Sequence, residues 1–382
     1  MVRVALPFGA GEVSADVDAA VMFLTPPAAV TPPALAALCE AALAAPIESA
    51  LLEARVRAGD RVTLIVSDRT RAEPRAAFVD AVRARLPSVR LTVAIATGTH
   101  GRSGGLGSIG LDHVRDVTVV DHDGLDAAAL VDVGTTSRGT PVVVHRACVD
   151  ADLVVATGVI RAHYFAGFGA GAKAIFPGLA ASASARHNHL WKRDPAARGG
   201  AVDDNPCRLD LEEAAALAAP RAFLLDGVAD RHDVVRAVVA GDVRAAFRAG
   251  AAIAGPWLRA AARPSACVVV GDRDPVTRSL YQASKCLASV TPWVRPGGRV
   301  VIVAPCDDGL GPVDVVNRGI YELGIRPRLP AQHEVVLVSN LPRATVETSY
   351  ARWAPDVATA IGDHDELLVV PLASKVIADV MA

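Results

Sequence analysis

Aromatic residues are scarce, at 4% of a 382-residue chain. That leaves too few rings for a stacking platform on single-stranded nucleic acid. An excess of positive charge is missing too. Lys and Arg number 39 against 41 Asp and Glu, for a net charge of -2, so no broad basic field exists to hold a phosphate backbone. The six cysteines (Cys39, Cys148, Cys207, Cys267, Cys286 and Cys306) are scattered, with no CxxC pair. This argues against a zinc knuckle or a redox dithiol and fits a reducing, cytoplasmic compartment. No apolar run approaches the ~20 residues of a membrane helix. The first residues, Met1 to Pro7, read as a short strand rather than a signal peptide. Internal repeats and low-complexity tails are also lacking.

What is present is the composition of a packed protein, 52% apolar and 21% charged. Single cores stop growing at about 250–300 residues, so two domains are expected. Strand-like and helix-like segments alternate, which predicts an α/β layered architecture. The expected strands of the first series are Val62 to Val66, Leu91 to Ala96, Val117 to Val120, Pro141 to Val144 and Leu153 to Ala156. Helices are expected over Glu73 to Leu86, Leu209 to Ala218 and Val243 to Ala262, the last kinked near Gly255-Pro256. A second series follows: strands at Cys267 to Val270, Val300 to Ala304, Val335 to Val338 and Leu367 to Val370, with helices at Thr277 to Leu287 and Val313 to Leu323. The boundary falls near Ala261 to Pro264, dividing the chain into residues 1–262 and 263–382.

Polar motifs follow three of these strands. Ser67-Asp68-Arg69-Thr70-Arg71 follows the first, Thr97-Gly98-Thr99-His100 the second, and Thr157-Gly158-Val159-Ile160-Arg161-Ala162-His163 the third. Open parallel sheets bind ligands outside the carboxyl ends of their strands, so Arg71, His100 and His163 are expected at one edge. The third motif runs on to Gly167-Phe168-Gly169-Ala170-Gly171-Ala172-Lys173. Glycines at alternate positions allow close backbone approach to a ligand. The segment is not a nucleoside-triphosphate loop, because Ala172 separates Gly171 from Lys173 and Ala174 replaces the hydroxyl that would hold magnesium. Farther on, His187 and His189 share a predicted helix about 200° apart, so only one of them faces a site. In the second series Tyr281, Gln282 and Lys285 lie on one helix face. An amide and an ammonium there are able to grip a carboxylate.

Together these residues resemble the lactate racemase family that uses a nickel-pincer nucleotide. The resemblance rests on Asp68-Arg69-Thr70-Arg71, Ala96-Thr97-Gly98-Thr99-His100, His163 to Lys173, Ile175-Phe176-Pro177-Gly178, Asn188-His189, and Tyr281-Gln282 with Lys285. It implies a larger N-terminal, Rossmann-like parallel-sheet domain and a smaller C-terminal α/β domain, with the active site in the cleft between them. It implies a cofactor, pyridinium-3,5-bisthiocarboxylate mononucleotide with nickel, linked covalently through Lys173. By the same resemblance His189 is the protein's nickel ligand, and His100 and His163 are the acid–base pair. Asp68, Arg69, Thr70 and Arg71 line the cofactor and substrate site, and Tyr281, Gln282 and Lys285 face the substrate. Cofactor-biosynthesis enzymes are implied as partners.

The implied reaction is racemisation or epimerisation of a 2-hydroxy acid. Its α-hydrogen leaves as hydride while an imidazole takes the hydroxyl proton, and two histidines serve the two enantiomers. Arg71 and Lys285 would hold the carboxylate. Ala162 stands where the family usually has proline. Gly169-Ala170-Gly171 stands where a serine followed by two glycines is common. These departures leave lactate or a related 2-hydroxycarboxylate as the expected substrate. They also leave two other readings to weigh: a nickel-independent oxidoreductase on the same fold, and a non-catalytic binding protein for a small carboxylate or nucleotide.

Overall fold

Runs such as Val62-Thr63-Leu64-Ile65-Val66 are buried along their whole length, a pattern that only a strand covered on both faces satisfies. The computed structural model of the chain describes residues 1–71 and 73–381. Among these residues, such runs assemble into two six-stranded sheets. In chain order their strands are β1 (Ala20–Phe23), β2 (Arg61–Ser67), β3 (Arg90–Ala96), β4 (Thr118–Asp121), β5 (Leu153–Ile160), β6 (Ala222–Ala229), β7 (Val235–Gly241), β8 (Ser265–Gly271), β9 (Val294–Val303), β10 (Glu334–Val338), β11 (Arg352–Ala354) and β12 (Glu366–Val370).

The chain forms two compact units. One holds Val30–Arg161 and Ala166–Trp257. Its sheet has the order β7-β6-β5-β2-β3-β4, parallel except for the antiparallel β6–β7 pair. Leu64, Val66, Val93, Ile95, Val155 and Phe223 fill its core beneath the Arg75–Arg85 helix, which contributes Phe78, Val79 and Val82.

The other unit holds Met1–Ala29, Ala162–Phe165 and Leu258–Ala382. Its sheet is parallel throughout, in the order β11-β10-β9-β8-β12-β1. This corrects the expected division at residues 262 and 263. β1 adds to the edge beside β12, and the Val2–Phe8 and Gly11–Val17 hairpin buries Val4, Leu6 and Val17 with Val269, Val301 and Val303. Burial of those apolar side chains, not proximity in sequence, assigns the N-terminal segment.

Smaller differences have local causes. β5 continues to Ile160, so Thr157-Gly158-Val159-Ile160 lies inside the strand rather than after it. The expected 243–262 helix ends at Leu258, just past Pro256, and Arg259–Ala262 pairs instead with Ile377–Val380. The helix expected from Thr277 begins at Leu280, where the Ser279 hydroxyl accepts from the Gln282 N–H. Pro141–His145 pairs with Leu130–Thr135 outside the large sheet.

Candidate active site

In the first unit the carboxyl ends of β2, β3 and β5 carry the loops that the sequence singles out. Asp68 follows β2 and is buried. Its Oδ1 accepts from the Thr70 N–H at 3.0 Å and the Thr70 hydroxyl at 2.6 Å, and its Oδ2 lies 2.7 Å from His100 Nδ1. Burial works against the charge on Asp68. The His100 bond, Thr70 and the nearby Arg71 guanidinium overcome it and hold the carboxyl below its ordinary range. Arg69 and Arg71 are exposed. The loop's shape comes from Arg75, a buried guanidinium that donates to the carbonyls of Ser67, Asp68 and Arg71. The loop after His100 is held by Asp121, at the end of β4, which accepts from the N–H groups of Ser103 at 2.8 Å, Gly104 at 2.7 Å and Gly105 at 3.0 Å.

Lys173 sits on a short turn, Gly171–Ala174. Fully buried Arg208 holds the approach to this turn by donating to the carbonyls of Ala166, Phe168 and Ala170, and its guanidinium lies 4.1 Å over the Phe247 ring. The Gly171 N–H donates to Asp226 Oδ2 at 2.7 Å. Burial lowers the Lys173 ammonium to about 7, helped by the charges of Arg208 and Arg71. His189, in the last turn of the Ser182–His189 helix, is lowered to about 3 by burial and by the nearby Lys173 and Lys192. His187 is exposed, so one member of the pair turns inward, as the helical spacing requires. The structure therefore gathers Asp68, Thr70, Arg71, His100, Lys173 and His189 in one unit.

His163 belongs to the other unit. Its ring stacks on Tyr164 at 5.7 Å and meets Phe165 edge-on at 4.6 Å. In the same unit the Leu280–Val290 helix carries Tyr281, Gln282 and Lys285, with Lys285 Nζ 2.5 Å from Gln282 Oε1. Both the 162–163 segment and this helix pack against the turn Ala373–Lys375.

Three groups escape the sequence reading. Arg208 and Asp226 build the Lys173 loop, and Lys192, buried one helical turn beyond His189, is lowered to about 8, chiefly by burial. Asn205-Pro206 marks a helix start just ahead of Arg208, but no linear signal tells a buried arginine from a surface one. His122, given no role by its spacing, is a buried ring bonded to the Ala180 carbonyl at 3.0 Å.

The donors present suit a covalently held, metal-bearing group. A half-buried amine near neutrality is a competent nucleophile, and an imidazole kept neutral is the metal-binding form. Among the described residues no cluster of three or more His, Cys, Asp or Glu is placed to hold a metal.

Comparison with known proteins follows the same line. The profile of the lactate racemase N-terminal domain matches residues 8–200. The lactate racemase of Thermoanaerobacterium thermosaccharolyticum is 30% identical over 325 residues, 78% of this chain and 75% of that protein. The lactate racemase of Lactiplantibacillus plantarum is 29% identical over 282 residues, 71% of this chain and 66% of that protein. The lactate racemase apoprotein structure from T. thermosaccharolyticum superposes with a TM-score of 0.87 at 24% identity, covering 99% of this chain and 100% of that one. A crystal structure of a Thermotoga maritima protein superposes at 0.69 and 17% identity, covering 92% and 99%. At these identities the two superpositions speak for the fold.

Proposed function

The chain belongs to the lactate racemase family and is an isomerase, and we propose that it interconverts the enantiomers of lactate or a closely related 2-hydroxycarboxylate with a nickel-pincer nucleotide held at Lys173 and His189. The observation that carries this reading is the Asp68–His100 pair at 2.7 Å, on the sheet edge of the unit that also holds Lys173 and His189.

When bound, the cofactor supplies an acceptor for the α-hydrogen, chemistry that no protein side chain offers. The chain's residues do the rest. Asp68 engages His100 Nδ1, which leaves Nε2 as the acceptor for the substrate hydroxyl proton and stabilises the imidazolium that results. His163 is the second base, needed because the enantiomers present their hydroxyls in different directions. Its ring is placed by Tyr164, stacked on it, and by Phe165, which meets it edge-on. Arg71 supplies a guanidinium able to hold the substrate carboxylate with two parallel bonds. Lys285, with Tyr281 and Gln282 on the same helix, supplies a second polar contact. Asp68, Arg69 and Thr70 shape the cofactor side of the loop.

Protein made together with the cofactor-biosynthesis enzymes tests the proposal. Incubated with one pure enantiomer of lactate and no external electron acceptor, it should produce the other enantiomer, read by chiral chromatography, and should carry nickel and a mass increase on Lys173. Cofactor-loaded protein that racemises no 2-hydroxy acid, or that turns over only with an added oxidant, overturns it.

A further inference from the structure

In the second sheet β8 has β9 on one side and β12 on the other. The chain steps outward from β8 through β9 and β10 to β11, then returns across the sheet to β12. This makes the carboxyl ends of β8 and β12 a topological switch point, the place where open α/β sheets hold ligands. Asp272 directly follows β8, and Ser374 and Lys375 follow β12. Asp272 is fully buried. It accepts from the Arg273 N–H at 2.7 Å, the Ser374 N–H at 3.0 Å and the Ser374 hydroxyl at 2.5 Å. Lys375 Nζ lies 3.1 Å from Ser374 Oγ and 3.5 Å from Asp272 Oδ1, with the residue only 9% exposed. The turn begins at Leu372, a non-glycine residue with φ +55°, a strained conformation that concentrates at functional sites.

A buried ion pair rarely stabilises a fold better than apolar side chains of the same volume would. A strained turn that carries one needs another reason. The turn packs against both the His163 segment and the helix bearing Gln282 and Lys285. Lys375 and Lys285 therefore lie on two elements of this unit that pack together.

We infer that Lys375, tethered by Asp272 and Ser374 at the switch point, is a further cation for the substrate carboxylate, in addition to Arg71 and Lys285, and a determinant of substrate choice. The inference rests on the racemase reading above and extends it. Lys285 is held by the Gln282 side chain on its own helix, whereas Lys375 is held by Asp272 and Ser374 at the strand ends, so it sets where the carboxylate sits. The ligand class is a small carboxylate; the corresponding amide loses the charge that a buried ammonium demands.

The test uses cofactor-loaded protein and oxamate, an unreactive planar carboxylate of lactate's size. Lys375→Met should weaken oxamate binding by calorimetry, and raise KM for lactate, at least about tenfold, with kcat changing less. Lys375→Arg should keep part of the affinity. The double variant Asp272→Asn with Lys375→Met removes both charges, so it should regain thermal stability without regaining oxamate. If the double variant recovers affinity with stability, or if oxamate binds Lys375→Met as it binds the parent, the pair is only a brace and the inference falls. Should the single variant fail to fold, the double variant decides. A loaded protein without racemase activity would overturn the functional reading, while the oxamate comparison would still report on Lys375.

Discussion

At the scale of single residues, the site is a set of groups pushed from their ordinary protonation by their surroundings. Asp68 is held ionised and His189 neutral, and Lys173 sits near neutrality. Asp68→Asn keeps an acceptor for His100 Nδ1 but removes the charge that supports an imidazolium. It should lower kcat/KM by about 10²-fold or more. Enantiomers have equal free energy, so kcat/KM must show the same loss from either enantiomer, whatever kcat and KM do separately; unequal losses in kcat/KM would mean that the reaction is not a simple racemisation. Lys173 gives a stability prediction that needs no cofactor. Its folded-state value near 7 lies below the ordinary 10.5. Between those values the unfolded chain binds the extra proton, so the amine costs stability that is recovered only as pH rises toward 10.5. Lys173→Met in the apoprotein should raise the melting temperature at pH 7, with a gain that fades by about pH 10.5. A gain independent of pH would point to packing instead. The residue types at these positions were readable from the sequence. Their pairing was not, because Asp68 and His100 are separated by 32 positions and meet only when adjacent parallel strands end together.

At the scale of elements, two buried arginines do similar work. Arg75 fixes the loop after β2 through three carbonyls, and Arg208 fixes the approach to Lys173 through three more. The second of these loops carries strain. Ala170 has φ +61°, a left-handed backbone that alanine resists and glycine accepts. Ala170→Gly should therefore stabilise the apoprotein by about 1 kcal/mol, seen as a higher denaturant midpoint. An unchanged or lower midpoint would show that the loop needs the methyl group. The neighbouring position has no such latitude. Gly171 has φ +64°, and a Cβ there would stand 2.5 Å from the Phe247 ring. Gly171→Ala should displace the turn that carries Lys173 and prevent attachment, read as loss of the mass increase on that residue. The sequence shows the glycine run, and the strands on either side were legible because their apolar runs are continuous. The end of β5 was not, since Thr157-Gly158-Val159-Ile160 looks like a loop motif while its backbone remains paired with β6. Propensity yields there to the hydrogen-bond ladder of neighbouring strands.

At the scale of the whole molecule, the lesson concerns which segments share a core. A reading along the chain cuts it once, near residue 262, because a proline-containing stretch there separates two series of strands and helices. The folded protein instead gathers three separate stretches into one unit, with Met1–Ala29 joined to Leu258–Ala382 and to the four residues around His163. Long-range burial decides this, and no local pattern records it. Val4, Leu6 and Val17 are almost wholly buried against strands that lie more than 240 residues later. At about 1.5–3 kcal/mol for each fully buried aliphatic side chain, their removal costs an amount comparable to the whole stability of an ordinary domain, about 5–15 kcal/mol. β1 adds ladder bonds that otherwise leave β12 as an open edge. A chain of residues 258–382 alone should therefore lack a cooperative thermal transition and should aggregate. The same segment joined through a flexible linker to residues 1–29 should melt cooperatively. If the shorter piece melts as sharply and at the same temperature as the joined one, the N-terminal hairpin and β1 are ornaments on a unit that folds without them, and the assignment by burial is wrong.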